Sequence, residues 1–356
     1  MTKLADMSKL AGKPAPGGRT GLRLGFLGTG WIGRNRMAAI CATGLVDTVF
    51  VSDPDPVCRE EALALARDSH AVAGLNAMLN EGVDGVVIAT PSALHAEQAI
   101  HALQSGTAVF CQKPLGRTAA EAAAVVAAAR DADRLLAVDF SYRRTRAMEA
   151  IADRVQSGAL GRIYAVECVF HNAYGPNKPW FYDPRLSGGG CIMDLGVHLV
   201  DLLLWALGFP EVDTVHVRRF AKGEPLHDSD VAEDHALAML SLAGGIEARL
   251  ACSWNLSAGQ DAVIEMRFHG TKGSASMVNR DGSFYDFHGW AMQGTACETL
   301  AEPPDDWGGR ASSDWAGRLA QGRGFDPAVD HLVAVSDVLD RLRGDVSAAS
   351  ARFVAS

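Results

Sequence analysis

The sequence lacks both an excess of positive charge and a regular pairing of its cysteines. Lysine and arginine number 33 against 42 aspartate and glutamate, a formal net charge of -9, which disfavours nucleic acid and anionic membranes as partners. The seven cysteines are odd in number and include no Cys-x-x-Cys pair, so we expect reduced thiols rather than a disulfide framework. We also find no apolar run of membrane-spanning length and no signal-peptide core near the start. These absences together favour a cytoplasmic protein.

The length and the order of apolar runs predict two domains. With 356 residues, the chain exceeds what one hydrophobic core usually serves. The first domain, residues 21–141, alternates short apolar runs such as GVVIAT with alanine-rich stretches such as AAEAAAVVAAARDA. This alternation is typical of an α/β domain with a doubly wound parallel sheet and helices on both faces. Residues 1–20, rich in glycine, proline and lysine, are expected to form a flexible extension.

A change of pattern near residue 140 predicts a second domain over residues 142–343. Longer runs with period-two alternation, among them RIYAVECVFH and AVIEMRFHG, are separated by turn sequences such as GTKG. They predict an α+β domain built on a large, mostly antiparallel sheet with one open face. We expect a helix at about 327–343 to pack back on the body, followed by a tail at 344–356.

The segment GFLGTGWIG follows an apolar run and begins a helical stretch. Its Gly28, Gly30 and Gly33 match the spacing G-x-G-x-x-G of a Rossmann domain. There the first glycine permits a tight turn, the second lets backbone amides approach a pyrophosphate, and the third lets helix and strand pack closely. A simple strand-to-helix turn is the alternative. The predicted dinucleotide site also includes the residues between these glycines, Thr29, Trp31 and Ile32.

Asp53 ends the next apolar run, TVFVSD, at the separation expected for a carboxylate that binds the ribose hydroxyls of the adenosine. A carboxylate there repels a 2′-phosphate, so the sequence predicts NAD as the cofactor, with NADP as the alternative. Arg59 follows closely enough to weaken this preference. The competing interpretation makes Asp53 a turn or helix-capping residue in SDPDP.

Five segments in this order resemble the glucose-fructose oxidoreductase, inositol dehydrogenase and rhizopine-catabolism group, the Gfo/Idh/MocA family. The resemblance covers about residues 22–343. It rests on GFLGTGWIG, the strand-end Asp53, ATPSALHAEQA, CQKPLGRT and GGGCIMDLGVHLVDLLLWALG. The first two occur in any Rossmann protein, whereas the last three together are specific.

The resemblance implies further residues at the cofactor. The segment ATPSALH would border it through Pro91, Ser92 and His95, although His95 could equally be a helix N-terminal residue without a ligand. The family usually has Glu-Lys-Pro where this chain has Gln-Lys-Pro. Gln112 and Lys113 are therefore implied cofactor residues. We expect the missing carboxylate beside Lys113 to change the surroundings of the lysine or its cofactor contact, and to leave the ammonium in place.

Oxidation of a secondary alcohol needs a base for the hydroxyl proton and a cation for the developing alkoxide, while a hydride passes to a nicotinamide. In MDLGVHLVD, Asp194, His198 and Asp201 are spaced to share one helical face, with the imidazole as proton acceptor. The resemblance implies that Lys113, Asp194 and His198 are catalytic. The alternative is a buried, hydrogen-bonded histidine among core leucines. A zinc site at these acidic residues and His198 lacks a convincing fourth ligand, so we predict no metal.

The predicted substrate site lies where the two domains meet. Residues after the last strand of the first domain face it in the family, and aromatic rings before the glycine run are suited to stack on a sugar. An exposed basic helix start and ordinary loop packing are the alternatives. The predicted substrate residues are Tyr142, Arg144, His171, Trp180, Tyr182, Arg185, Asp194 and His198.

The sequence thus predicts an NAD(P)-dependent oxidoreductase that transfers a hydride between the nicotinamide and a hydroxyl-bearing carbon of a sugar, inositol or related polyol. Two alternatives stay open, namely a glycoside-cleaving or eliminating enzyme that oxidises its substrate transiently, and a dinucleotide-binding sensor without catalysis. The set of Lys113, Asp194 and His198 disfavours the sensor. From the resemblance we expect a homodimer or homotetramer, and we expect neither nucleic acid nor a membrane as partner.

Overall fold

Two β-sheets divide the described part of the chain between them. The structure is a computed structural model that describes residues 21–227 and 230–344. The predicted extension at 1–20, and the predicted tail apart from Gly344, lie outside the described residues. One sheet has six strands and the other has nine. The fold is therefore α/β followed by α+β, which confirms the expected fold class.

The first sheet is parallel throughout. Its strands are β1 (Leu22–Leu27), β2 (Val46–Ser52), β3 (Ser69–Ala71), β4 (Gly85–Ile88), β5 (Ala108–Cys111) and β6 (Leu136–Val138). They lie in the order β3-β2-β1-β4-β5-β6, so the order reverses between β1 and β4. In Rossmann sheets the dinucleotide binds at this reversal, outside the carboxyl ends of the strands.

Helices connect these strands and cover both faces of the sheet. They are α1 (Trp31–Cys41), α2 (Pro56–Leu63), α3 (Leu75–Asn80), α4 (His95–Gln104) and α5 (Ala119–Asp131). Helix α5 shows why the alanine-rich stretches are helical. Alanine has the highest helix propensity, and the Thr118 hydroxyl caps the helix by accepting the N–H of Glu121. Its Val125, Val126 and Ala129 are buried.

The second sheet follows α6 (Arg146–Gln156) and is antiparallel except for one pair. Its strands are β7 (Ile163–Asn172), β8 (Val212–Ala221), β9 (Glu224–Pro225), β10 (His235–Leu242), β11 (Ile246–Ser253), β12 (Ala262–Gly270), β13 (Ser274–Asn279), β14 (Phe287–Gln293) and β15 (Ala296–Ala301). They lie in the order β15-β14-β13-β12-β7-β11-β10-β8-β9, with β7 and β11 parallel.

One face of the second sheet is covered by helices. They are α6, α8 (Val197–Ala206) and α10 (His331–Arg343). Side chains on the other face reach solvent, as Leu237 and Met239 of β10 do, each 45% exposed. Helix α10 also contacts α5 and lies where the sequence predicted a helix at about 327–343.

Helix α9 (Arg310–Ala320) comes from the second part of the chain but packs on the first sheet. Its Trp315 is fully buried, with the ring centroid 5.7 Å from that of Phe110. The same ring lies 2.7 Å from the position that a Cβ on Gly85 would take. Burial of Trp315 therefore joins residues 310–320 to the first core, whereas the predicted division at 141/142 stays a prediction.

The segment Pro184–Ala206 corrects the expectation about apolar runs. By length and composition it could cross a membrane, but 83% of its most apolar stretch is buried inside the protein. It contains the short helix α7 (Pro184–Ser187), a π-helical turn (Ile192–Gly196) and α8. Helix α8 buries nearly every side chain against the second sheet and α10, which explains the apolar composition.

Candidate active site

The glycine loop after β1 has the backbone shape that its sequence predicted. Gly28 has a φ of +83°, and a Cβ there would lie 2.6 Å from the Ala89 carbonyl oxygen. A Cβ on Gly33 would collide with the carbonyl oxygen of Gly28. Gly30 precedes α1, whose first turn has neither a side-chain cap nor an acidic residue. The free N–H groups of this helix end fit the pyrophosphate of a dinucleotide.

A cleft of about 1070 Å³ begins at this loop and extends between the two sheets. Thr29 and Gly33 support the backbone of the glycine loop and do not line the cleft. Thr29 is fully buried and donates its backbone N–H to the Asp53 carboxylate at 2.5 Å. The predicted cofactor residues that line the cleft are Gly28, Gly30, Trp31, Ile32, Asp53, Pro91, Ser92, His95, Gln112 and Lys113.

The Asp53 carboxylate lines the cleft at the end of β2. Besides the N–H of Thr29, it accepts the N–H of Asp55 at 2.9 Å. Asp55, rather than Asp53, caps helix α2. Arg59 donates to the backbone carbonyl of Asp53 at 3.1 Å and does not line the cleft. Asp53 therefore places a fixed carboxylate at this end of the cleft, and Asp55 lines the cleft beside it.

His95 joins the loops that follow β4 and β5. Its Nδ1 lies 2.7 Å from the Pro114 carbonyl oxygen, and its Nε2 lies 2.7 Å from the Thr90 carbonyl oxygen. Burial lowers the pKa of this imidazole. Because Pro114 follows Lys113, the ring holds the backbone that carries the lysine. Both ring nitrogens of His95 therefore lie beside backbone carbonyl oxygens, and the N–H of the neutral ring donates to one of them.

The Lys113 ammonium is held by Asp194 across the two domains. Its Nζ donates to the Asp194 carbonyl oxygen at 2.7 Å and to Oδ1 at 2.9 Å. The other carboxylate oxygen of Asp194 accepts the indole N–H of Trp254 at 3.1 Å. Lys113 and Asp194 both line the cleft. Asp194 therefore holds the Lys113 ammonium in the cleft, close to the point where the strand order of the first sheet reverses.

His198 lines the same cleft, on the first turn of α8. Its ring makes no hydrogen bond to another described residue, and the Tyr142 ring packs edge-on against it at 4.7 Å between centroids. Burial, with the charges of Lys113 and Arg36, lowers the pKa of His198 well below its usual value of 6.5. The imidazole is therefore uncharged at neutral pH and able to accept a proton.

The single helical face predicted for Asp194, His198 and Asp201 needs a correction. Asp194 lies in the π-helical turn, whose wider hydrogen-bond spacing changes the angle between successive side chains. Asp201 is buried away from the cleft in an ion pair with Arg143. Burial raises the pKa of Asp201, and Arg143 opposes this effect. Asp201 therefore holds α8 in place and faces away from the site.

A buried polar network surrounds Gln112, the residue that departs from the family pattern. The Gln112 amide donates to Asp139, which also pairs with Arg36 at 2.5 Å. Ser141 donates to the second Asp139 oxygen at 2.6 Å and accepts from Arg36 at 2.9 Å. An amide suits this position because its N–H can donate to a carboxylate. A glutamate would instead place two carboxylates in contact.

Glu233 positions the helix that carries Asp194 and His198. Its buried carboxylate accepts the N–H of Gly190 at 3.0 Å and that of Ile192 at 2.9 Å. Burial raises the pKa of Glu233, and these backbone donors oppose the shift. A Cβ on Gly190 would collide with the Glu233 carbonyl oxygen, which explains the third glycine of GGG.

Half of the predicted substrate residues line the cleft. These are Tyr142, Trp180, Asp194 and His198. Trp180 stacks on Phe181, with ring centroids 3.8 Å apart.

The other four predicted substrate residues do not line the cleft, and each has a partner elsewhere. Arg144 pairs with Asp314 of α9 at 3.1 Å, and Arg185 pairs with its neighbour Asp183 while 87% exposed. His171 hydrogen-bonds with Ser253 at 2.7 Å and stacks on His235. Tyr182 packs edge-on against Trp254, and its hydroxyl donates to the Pro176 carbonyl.

Several cleft residues were not predicted from the sequence. They come from five separate segments and include Arg36, Asp139, Asn177, Lys178, Phe284, Tyr285, Asp305, Asp306 and Trp307. Trp307 packs against Tyr142, with centroids 4.8 Å apart. The aromatic residues at 284–285 and 307 carried no motif. The signal available in the sequence was that these aromatic residues lie next to aspartates in loops.

No group of three or more histidine, cysteine, aspartate or glutamate side chains suited to a metal occurs within residues 21–227 and 230–344. The predicted absence of a metal stays a prediction.

Two family models match the chain. Residues 22–140 match an oxidoreductase family with an NAD-binding Rossmann fold, and residues 148–276 match the GFO/IDH/MocA C-terminal domain. Two solved structures share the fold. Levoglucosan dehydrogenase in complex with NADH and levoglucosan has a TM-score of 0.77 and 22% identity, over 91% of this chain and 97% of that one. GenD2 from gentamicin A biosynthesis, in complex with NAD, has a TM-score of 0.76 and 22% identity, over 94% and 98%.

Similar sequences include two dehydrogenases and a protein of rhizopine catabolism. The chain is 30% identical to an inositol 2-dehydrogenase of Acidiphilium cryptum over 72% of this chain and 74% of that protein. It is 27% identical to levoglucosan dehydrogenase of Pseudarthrobacter phenanthrenivorans over 71% and 72%. It is 31% identical to the rhizopine catabolism protein MocA of Rhizobium meliloti, over 53% of this chain and 58% of MocA. The chain therefore belongs to the Gfo/Idh/MocA family of NAD-binding oxidoreductases.

Proposed function

We propose that the protein is an NAD(P)-dependent dehydrogenase or reductase that acts on a hydroxyl-bearing carbon of a sugar, inositol or related polyol. The observation that carries the proposal is that Lys113, Asp194 and His198 line one cleft together with the glycine loop. Relatives named as levoglucosan and inositol dehydrogenases support the substrate class.

The chemistry assigns a separate task to each of these side chains. A nicotinamide bound in the cleft supplies the hydride acceptor or donor. The uncharged His198 accepts the hydroxyl proton during oxidation and returns it during reduction. The Lys113 ammonium stabilises the negative charge that develops on the reacting oxygen. Asp194 positions Lys113 through its carbonyl and Oδ1 atoms.

The shape of the cleft suits a ring with one apolar face. Tyr142, Trp180 and Trp307 present aromatic surface, and Asp306 adds an exposed carboxylate that can accept hydrogen bonds from hydroxyls. At the other end, the fixed carboxylate of Asp53 supports a preference for NAD over NADP, because it would repel a 2′-phosphate.

The test is to offer inositols, aldoses and sugar acids with NAD or NADP and follow absorbance near 340 nm. We expect net NADH formation on at least one substrate. Lys113→Ala and His198→Ala are expected to lower turnover about 10²- to 10⁴-fold while NAD still binds. Lys272→Ala and His216→Ala, which change exposed residues outside the cleft, are the matched controls.

Three outcomes would contradict the proposal. Product without net NADH would favour a glycoside-cleaving or eliminating enzyme. Binding of NAD without turnover, unaffected by either substitution, would favour a sensor. Failure to bind either dinucleotide would remove the cofactor assignment itself.

We also propose an oligomeric state and a cellular compartment for the protein. The exposed Leu237 and Met239 on the open face of the second sheet support a homodimer or homotetramer, which light scattering measures. The seven cysteines are free thiols, and this supports a reducing cytoplasm. The net charge of -9 supports the absence of nucleic acid and membrane partners.

A further inference from the structure

Lys178 extends from the second domain to the glycine loop of the first. It lies in the segment between β7 and α7, and it lines the cleft together with Asn177 and Trp180. A Cβ built on Gly30 would lie 3.5 Å from the Lys178 Nζ atom. The ammonium therefore stands over the glycine that precedes α1.

This arrangement brings two positive groups face to face. The N-terminus of α1 carries a partial positive charge and has no acidic residue in its first turn. Lys178 makes no ion pair with a carboxylate anywhere in residues 21–227 and 230–344. Like charges repel, so this placement is favourable when an anion lies between them. The anion that belongs at a Rossmann glycine loop is a pyrophosphate.

We propose that Lys178 binds the pyrophosphate of the dinucleotide from the side opposite to α1. The inference rests on the proposed function for its cofactor and adds a residue to that cofactor's site. The phosphates are then held between backbone N–H groups of the first domain and an ammonium of the second. Cofactor binding thereby joins the two domains.

The segment that carries Lys178 is fastened to the reacting centre. The Tyr182 hydroxyl donates to the Pro176 carbonyl at 2.9 Å, which closes the segment on itself. The Tyr182 ring packs edge-on against Trp254 at 5.4 Å between centroids, and the Trp254 indole donates to Asp194. A fixed segment brings an exposed lysine to one place, so less conformational freedom is lost when the phosphate binds.

The experiment measures dinucleotide binding, separately from turnover, by calorimetry. Lys178→Met is expected to weaken the affinity for NAD and for ADP-ribose about 10- to 100-fold at low ionic strength. Adenosine, which has no phosphate, should bind equally to both proteins. Added salt should reduce the difference, because it screens the ammonium. Lys178→Arg should restore most of the affinity, and the exposed Lys272→Met is the matched control.

The outcomes separate this inference from the cofactor assignment. If wild-type protein binds NAD and Lys178→Met binds NAD and ADP-ribose equally well, Lys178 has no role at the pyrophosphate. An equal loss of adenosine affinity would also overturn the inference, since the effect would then not depend on phosphate. If the wild-type protein itself binds no dinucleotide, the proposed function fails first. Circular dichroism of each variant establishes that it has folded.

Discussion

Replacing Gln112 by glutamate tests the buried network at the base of the cleft. The Gln112 amide donates to Asp139, and both side chains are buried. The substitution keeps the size of the side chain, removes the donor and introduces a second negative charge beside Asp139. Arg36 is the cation already paired with Asp139, so one guanidinium would face two carboxylates.

The size of the effect follows from charge and distance. Two unit charges about 3 Å apart repel by roughly 5 kcal/mol at an effective dielectric constant of about 20. Uptake of a proton by the introduced carboxylate limits this penalty. Protonating a glutamate with a reference pKa of about 4.3 costs roughly 4 kcal/mol at pH 7 and roughly 1 kcal/mol at pH 5. In the folded variant, repulsion by the Asp139 carboxylate raises the pKa of the carboxyl introduced at position 112. Stability is therefore kept at low pH and lost as the pH rises.

Urea unfolding at pH 7 and at pH 5 measures this difference. The matched control is Gln112→Met, which removes the hydrogen bond without adding charge and should cost about 1 kcal/mol at either pH. We expect Gln112→Glu to be less stable than this control at pH 7 and close to it at pH 5. A Gln112→Glu protein as stable as wild type at pH 7, or equally destabilised at both pH values, would refute the explanation.

Two further predictions concern His198 and Glu233. Because burial, Lys113 and Arg36 all lower the pKa of His198, kcat/KM for alcohol oxidation should stay constant from pH 8 down to pH 6.5 and fall only below it. Lys113→Met removes one of these charges, so the pKa of His198 should rise and the residual activity of the variant should begin to fall at a higher pH. A wild-type activity that already falls at or above pH 6.5 would contradict this prediction. Glu233→Ala leaves two buried N–H groups without an acceptor and should cost about 2–4 kcal/mol of stability in urea unfolding and lower kcat. Glu233→Gln, which keeps the accepting oxygen, should recover most of the lost stability and kcat. Equal losses in the two variants would contradict the proposed positioning role.

Features set by local backbone rules could be predicted from the sequence. The glycine spacing predicted the loop that Gly28 and Gly33 form, because each position leaves no room for a Cβ. The alternation of runs predicted a parallel sheet and then an antiparallel one. Strand β3 (Ser69–Ala71) was missed because its residues, SHA, do not form an apolar run.

Features that depend on contacts between distant segments could not be predicted. Arg36 meets Asp139 from more than 100 residues away, and no local motif marks either residue. Arg144 and Arg185 were expected at the substrate because one follows the last strand of the first domain and the other precedes the glycine run. In the structure they pair with Asp314 and Asp183 and do not line the cleft. The resemblance supplied Lys113, Asp194 and His198, and all three line the cleft.

The return of α9 to the first sheet affects how the chain folds during synthesis. Trp315 fills the space beside Gly85 and Phe110, so this part of the first core stays uncovered until residues 310–320 have left the ribosome. The nucleotide-binding half thus completes its hydrophobic interior after the second sheet has been translated. We expect a fragment ending at residue 141 to expose an apolar surface and to aggregate more readily than the whole chain.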